Sequence, residues 1–286
     1  MKFIKSDPAR DKKLFKRMGI AIVIIACLLV IKDEILWDIG YYEDEFNLDE
    51  NTSYYSEDYG NGNENCNVAK IDLKGFIDIE EYEDGDVGSS DIIREIENAD
   101  NSGNIKAIIL DIDSSGGVAV AGEEISNAFS RAEKPTVSVI RTMGLSAAYW
   151  SAIGTDMIFA SANSDVGSIG VTISYVDNSR KNQIEGLTYN KISSGKFKDT
   201  GDSDKILTYE EKLLLQRDVD IVADNFIKAV AEKRNLDISK VRALADGSTM
   251  AGQMALDNGL IDKIGDMYSA KEYLSGLLDE EVIICE

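Results

Sequence analysis

Ser146 stands in Met143-Gly144-Leu145-Ser146-Ala147-Ala148-Tyr149-Trp150, after the β-rich run Thr136-Val137-Ser138-Val139-Ile140 and ahead of small residues able to start a helix. A strand-to-helix turn of this kind pushes a hydroxyl into a cleft and aims the free N–H groups of the new helix at the same place. A serine hydroxyl becomes a useful nucleophile when a neighbouring base takes its proton. The chain has 286 residues and no histidine, which excludes a Ser-His-Asp triad. A lysine is the obvious remaining base, and Lys198 in Ser193-Ser194-Gly195-Lys196-Phe197-Lys198-Asp199 is the candidate. Its neighbours Lys191, Lys196 and Lys205 read as ordinary surface charges, as most lysines are.

Such an amine must fall from a pKa of about 10.4 towards 7, a shift of roughly 4 kcal/mol supplied mainly by desolvation. The net charge of −22 pushes the other way, so local burial must dominate. Gly167-Ser168-Ile169-Gly170 offers the Ser168 hydroxyl to hold Lys198 in place. Asp113-Ser114-Ser115-Gly116-Gly117 follows the strand Ile108-Ile109-Leu110-Asp111-Ile112, and paired glycines let the backbone turn sharply against a bound group. Their N–H groups, with that of Ala147, can form an oxyanion hole. A phosphate loop is a rival reading, but the Walker spacing and its lysine are missing; a plain tight turn remains open.

The elements that must position these residues alternate. Val68–Ile77 reads as a strand, Asp91–Asn98 as a helix, Ile105–Ile112 as a buried strand and Ala119–Arg131 as a helix. Thr136–Ile140 is a strand that leads into the Ser146 helix, and Asp156–Ala160, Val171–Val176 and Thr188–Ile192 are further candidate strands. Strands alternating with helices predict an α/β fold with a parallel sheet covered on its faces. The C-terminal part turns helical. Thr208-Tyr209-Glu210-Glu211 forms a capping box, and apolar residues continue at helical spacing to about Arg234. Asp237 caps Ile238–Ala245, and Ala251–Asn258 is closed by Gly259. No repeat of 20–50 residues is present.

Residues 1–17 are basic, with seven Lys/Arg and two Asp between positions 2 and 17, and Met18–Ile31 is an unbroken apolar run. With Lys32 snorkelling and Trp37 at the interface, residues 18–37 read as a membrane anchor. The basic side then stays in the cytoplasm and the rest lies outside it. Ile24-Ile25-Ala26-Cys27 also looks like a lipoprotein box, with Cys27 lipidated, although Leu28–Ile31 after it stays apolar. Residues 38–67 are acidic, rich in Tyr, Asn and Gly, and read as a solvated spacer ahead of a domain over 68–286. Fifty-two acidic against 30 basic residues argue against a nucleic-acid partner. Three cysteines without metal-ligand spacing argue against a zinc site.

The set Asp113–Gly117, Ser146-Ala-Ala-Tyr149, Val166-Gly-Ser-Ile-Gly-Val171 and Ser194-Gly-x-x-Lys198-Asp199 resembles the bacterial signal peptide peptidases of the SppA family. Ala245–Ala255 and Gly259-Leu260-Ile261-Asp262 are similar to the family's C-terminal segment, so the likeness covers about residues 68–268. The resemblance implies repeated ββα units around a curved parallel sheet, as in ClpP and crotonase, with C-terminal helices and assembly into a homo-oligomeric ring or dome. It implies Ser146 as nucleophile, Lys198 as general base and the Gly117 and Ala147 N–H groups as the oxyanion hole; the supporting places of Gly116 and Ser168 come from the residues themselves. Leftover signal peptides and other short apolar peptides are the implied substrates, without metal or cofactor. Ser115 replaces a proline common before the paired glycines, and Ala147-Ala148 replace glycines after the nucleophile. A catalytically silent scaffold of the same fold and a sister Ser-Lys protease of membrane proteins are the alternatives. Cys66 and Cys285 bracket the domain and, in an oxidising exterior, either pair or remain thiols.

Overall fold

Ile108, Ile109, Leu110 and Ile112 are fully buried in a strand that carries no exposed face over that run, and this strand is the middle of the molecule. The computed structural model describes residues 66–81 and 85–285. The basic N-terminus, the 18–37 anchor, Cys27 and residues 38–65 of the spacer lie outside the described residues.

The chain runs β1 (Val68–Asp78), β2 (Asp86–Gly88), α1 (Ser89–Asn101), β3 (Ala107–Gly117), α2 (Ala119–Phe129), β4 (Thr136–Leu145), α3 (Ala147–Ala152), β5 (Met157–Ala160) and β6 (Asp165–Gly167). It continues through α4 (Ser179–Ile184), α5 (Tyr209–Lys233), α6 (Ile238–Leu244), β7 (Thr249–Ala251), α7 (Gly252–Asn258), β8 (Lys263–Ile264), α8 (Met267–Leu278) and β9 (Ile284–Cys285). The sheet order is β2-β1-β3-β4-β5-β8, all parallel, with β9 also on β1 and β6 on β4. The pairing of β6 with β7 is antiparallel.

Side-chain alternation along the strands splits the core into two layers. Ile71, Leu73, Ile108, Leu110, Ile112 and Ile140 face α1, α2, α3 and α5 in the larger one. Val68, Ile109, Val137, Val139 and Phe159 face Ala270 and Leu274 of α8 in the smaller. Helix α8 begins at a capping box in which Asp266 accepts from the Ser269 N–H. That box was not anticipated in sequence because Ser269 takes the place usually held by Glu or Gln.

The expected strands over Val68–Ile77, Ile105–Ile112, Thr136–Ile140 and Asp156–Ala160 form, as do the two early helices and the α5 capping box. Val171–Val176 and Thr188–Ile192 do not form strands. A strand needs a ladder partner, and this stretch leaves the body without one; Ile192 is fully exposed. Between residues 171 and 208 Leu207 is the one buried side chain.

Cys66 and Cys285 are joined by a disulfide, with Cα atoms 5.1 Å apart. Asn67 completes the closure: its amide donates to Glu281 O at 2.9 Å and accepts from the Ile283 N–H at 2.8 Å. Both ends of the described domain therefore meet at the N-terminal edge of β1. The largely buried Arg234 guanidinium just past the end of α5 grips Asp262 through two N–H groups at 2.7 and 3.0 Å.

Candidate active site

The C-terminal ends of β3 and β4 lie side by side, with Ser114 opposite Gly144. Strand β4 ends at Leu145 and α3 begins at Ala147, so Ser146 must turn the chain between them. It does so at φ 51°, ψ −120°, a conformation that a side chain rarely adopts. The turn is held from both sides. The Ser146 N–H donates to Gly167 O at 2.8 Å, and Ser146 O accepts from the Trp150 N–H at 2.9 Å. Trp150 is itself stacked on Phe226 of α5, ring centroids 4.4 Å apart. The buried Tyr149 hydroxyl donates to Leu260 O at 2.8 Å, and burial pushes that phenol's pKa upward. Helix α3 is therefore pinned at its base, and the strain at Ser146 is sustained by its surroundings.

The glycine pair performs two different tasks. Gly116 has φ +103°, and a Cβ there would lie 2.7 Å from Leu145 O and 2.8 Å from Ser146 Cβ. It presses directly on the serine turn, where nothing larger fits. At Gly117 a Cβ would fall 2.0 Å from Ile77 O, so this residue is wedged against β1. The Ser114 hydroxyl secures the approach: it donates to Gly75 O at 2.6 Å and accepts from the Gly116 N–H at 3.0 Å. Gly116→Ala is expected to cut the rate at which a fluorophosphonate labels Ser146 by about 100-fold, because the serine turn must shift by the order of an ångström. Labelling at the wild-type rate in that variant would show that the turn tolerates displacement.

Ser146 opens into a cleft of about 630 Å3, within the range of ligand pockets. Gly117, Ser168 and Gly170 line it with the small side chains of Ala119, Ala223 and Ala245. Ala147 is the first residue of α3, so its N–H lies ahead of the helical hydrogen-bond ladder. Ser168 has φ 51° and sits at the cleft wall, but its hydroxyl donates to Gly247 O at 3.1 Å rather than to a lysine. The structure thus brings Ser146, Ala147, Gly116, Gly117 and Ser168 together. It places Lys198 elsewhere: the side chain is exposed, outside the residues lining the cleft, and among the described residues its ammonium has no hydrogen bond or ion pair.

Asp246 and Gly247, at the far wall of the cleft, were recognised in sequence as part of a family segment without a role at the site. Asp246 accepts from the Ser248 N–H at 2.9 Å and from its hydroxyl at 2.5 Å, and these bonds hold its carboxyl below the usual range. An Asp-Gly-Ser turn signal was legible, but not its closeness to residue 146, more than ninety positions away. Among the described residues no group of His, Cys, Asp and Glu has a metal-binding arrangement.

The family described as Peptidase family S49 matches residues 128–279. A protein of Enterococcus faecium named as a signal peptide peptidase of the SppA type is 28% identical over 218 residues, covering 71% of this chain and 61% of that protein. Protease 4 of Haemophilus influenzae is 28% identical over 216 residues, 74% of this chain and 35% of that protein. Protease 4 of Salmonella typhi is 30% identical over 208 residues, 71% and 33% respectively. The chain therefore spans about three fifths of the Enterococcus protein and a third of either Protease 4.

Proposed function

The chain belongs to peptidase family S49, the serine peptidases of the SppA and Protease 4 type, and from that premise we propose a membrane-anchored endopeptidase that works by a Ser146–Lys198 dyad. The observation that carries this reading is the strained strand-to-helix turn that presents Ser146 to the cleft beside Gly116 and Gly117. Lys198 takes the Ser146 proton, Ser146 Oγ attacks a peptide carbonyl, and the Ala147 and Gly117 N–H groups hold the developing oxyanion. The protonated amine then protonates the leaving nitrogen, and water hydrolyses the ester to free Ser146.

Lys198 reaches a serine only once the exposed stretch that carries it is covered. Ile173, Val176, Ile184, Leu187, Ile192 and Ile206 all face solvent there. Burial of these residues against further copies of the chain would desolvate the Lys198 amine, which is what a base near neutral pH requires. This supports a homo-oligomeric ring or dome in which Lys198 serves its own or a neighbour's Ser146. The ClpP/crotonase likeness belongs to the same reading. The cleft walls of Ala119, Ala223 and Ala245 suit short apolar segments such as signal peptide remnants. The disulfide supports an oxidising exterior for the domain, with residues 18–37 as anchor and the N-terminus cytoplasmic. Among the described residues no helix is long and apolar enough to cross a membrane.

The test is Lys198→Ala beside Lys198→Arg in the full chain. Both are expected to lose peptide hydrolysis, since guanidinium is not a base near neutral pH. Normal turnover in the arginine variant would remove Lys198 from its role. Labelling of the wild-type chain by a fluorophosphonate at Ser146 separates an active peptidase from a silent scaffold.

A further inference from the structure

Four lysines lie close together in the exposed stretch, and the structure distinguishes them. Lys191 pairs with Asp199, and Lys205 bridges Asp199 Oδ2 at 3.1 Å to Glu211 Oε1. Lys196 reaches Glu210 at 3.4 Å on the outer surface. Lys198 alone of the four has no carboxylate among the described residues, although Asp199 is its chain neighbour.

The groups on Asp199 account for this. From its own stretch come the Lys191 ammonium and the Tyr189 hydroxyl, which also donates to Asp202 at 3.2 Å. From the segment just ahead of α5 comes Lys205, itself held by Glu211 in the first turn of that helix, whose other oxygen accepts from the Thr208 N–H at 2.9 Å. The side chains of Asp199 and Lys205 are 11 and 16% exposed and that of Glu211 in α5 is 3% exposed, so the relay is a largely shielded cluster beside a segment whose one buried side chain is Leu207. It fastens the turn Gly195–Asp199 to the N-terminus of α5, the longest helix among the described residues. The sequence places Lys191 and Lys205 seven residues on either side of Lys198.

We propose that the Lys191–Asp199–Lys205–Glu211 relay is the positioning device for Lys198. It fixes the backbone that carries the base, and it saturates Asp199 with other lysines so that the Lys198 ammonium has no counter-ion holding its proton. The proposal rests on the dyad reading. The salt bridges keep the Asp199 carboxyl down at about 2, so Asp199 stays charged across the range in which an amine can act as a base. A carboxylate depressed in the folded state contributes above its unfolded pKa and is lost only as pH falls towards 2. The acid limb of an activity profile above that range therefore reports the base, not the relay.

The experiment compares kcat/KM against pH for the full chain and its variants on a fluorogenic apolar peptide. Lys205→Met is expected to lower kcat/KM by about 100-fold through misplacement. The acid limb of what remains is expected to move to higher pH, because the relay, with Asp199 still paired to Lys191, is then left with one excess negative charge shared between Asp199 and Glu211, which favours the Lys198 ammonium. Asp199→Asn is expected to lose rate as well, but with the limb displaced to lower pH. Lys205→Arg, which keeps the charge, is expected to recover most of the rate. Lys196→Met removes one charge from the same segment and is expected to change neither rate nor limb. If Lys198→Ala turns over normally, the dyad reading itself falls. If Lys198→Ala is dead while the limb stays in place in Lys205→Met and Asp199→Asn, whatever their rates or melting temperatures, the relay is structural only and the inference is overturned.

Discussion

Ser146→Ala is expected to abolish peptide hydrolysis, by about 10^4-fold or more, while the domain melts as the wild type does. The two halves of that expectation have separate physical grounds. The hydroxyl is the proposed attacking group, so without it no acyl-enzyme forms and the oxyanion donors have nothing to stabilise. The strain at Ser146 belongs to the backbone: its N–H bond to Gly167 O, its carbonyl bond from Trp150 and the pressure of Gly116 all survive the substitution. Among the described residues the Ser146 hydroxyl makes no hydrogen bond, so its removal orphans no partner. Turnover of an apolar peptide and fluorophosphonate labelling, each read on the folded variant, check the point. Hydrolysis at even a tenth of the wild-type rate would place the nucleophile elsewhere.

The second large effect is on stability. Opening the Cys66–Cys285 bond, by reduction or by a Cys66→Ser/Cys285→Ser pair, is expected to cost about 2–5 kcal/mol. The bond spans 219 residues, so the unfolded chain that it restrains is nearly the whole domain. It also fastens a short element: β9 pairs with β1 through Val68–Ile284 and Ala69–Cys285, and two residues of ladder hold little by themselves. Chemical unfolding with and without reductant measures the loss. Coincident midpoints would show that the Asn67 contacts and the β9 pairing suffice. The same treatment is expected to leave Ser146 labelling intact below the melting range, because the bond lies at the start of β1 whereas the serine turn sits beyond the strands' other ends.

What the amino-acid order determined by itself was whatever short-range physics controls. Ile108, Ile109, Leu110 and Ile112, with only Asp111 between them, read as a buried strand, and Thr208 with Glu211 closes a helix start within four residues. Lack of histidine by itself restricts the base to other side chains, and the serine turn is legible from a β-rich run stopping at small residues. Tertiary structure decided whatever depends on a partner distant in the chain. Val171–Val176 and Thr188–Ile192 carry strand-like sequence but find no neighbouring strand, and a ladder cannot form alone. Ser168 bonds Gly247 and not a lysine, because β6 and β7 bring those two segments side by side. Which lysine stays without a counter-ion was likewise undecidable from composition, since four are close in sequence and ion pairing depends on where Asp199 and Glu211 point. The disulfide belongs to the same class: two cysteines 219 residues apart meet only because β1 and β9 share a sheet edge.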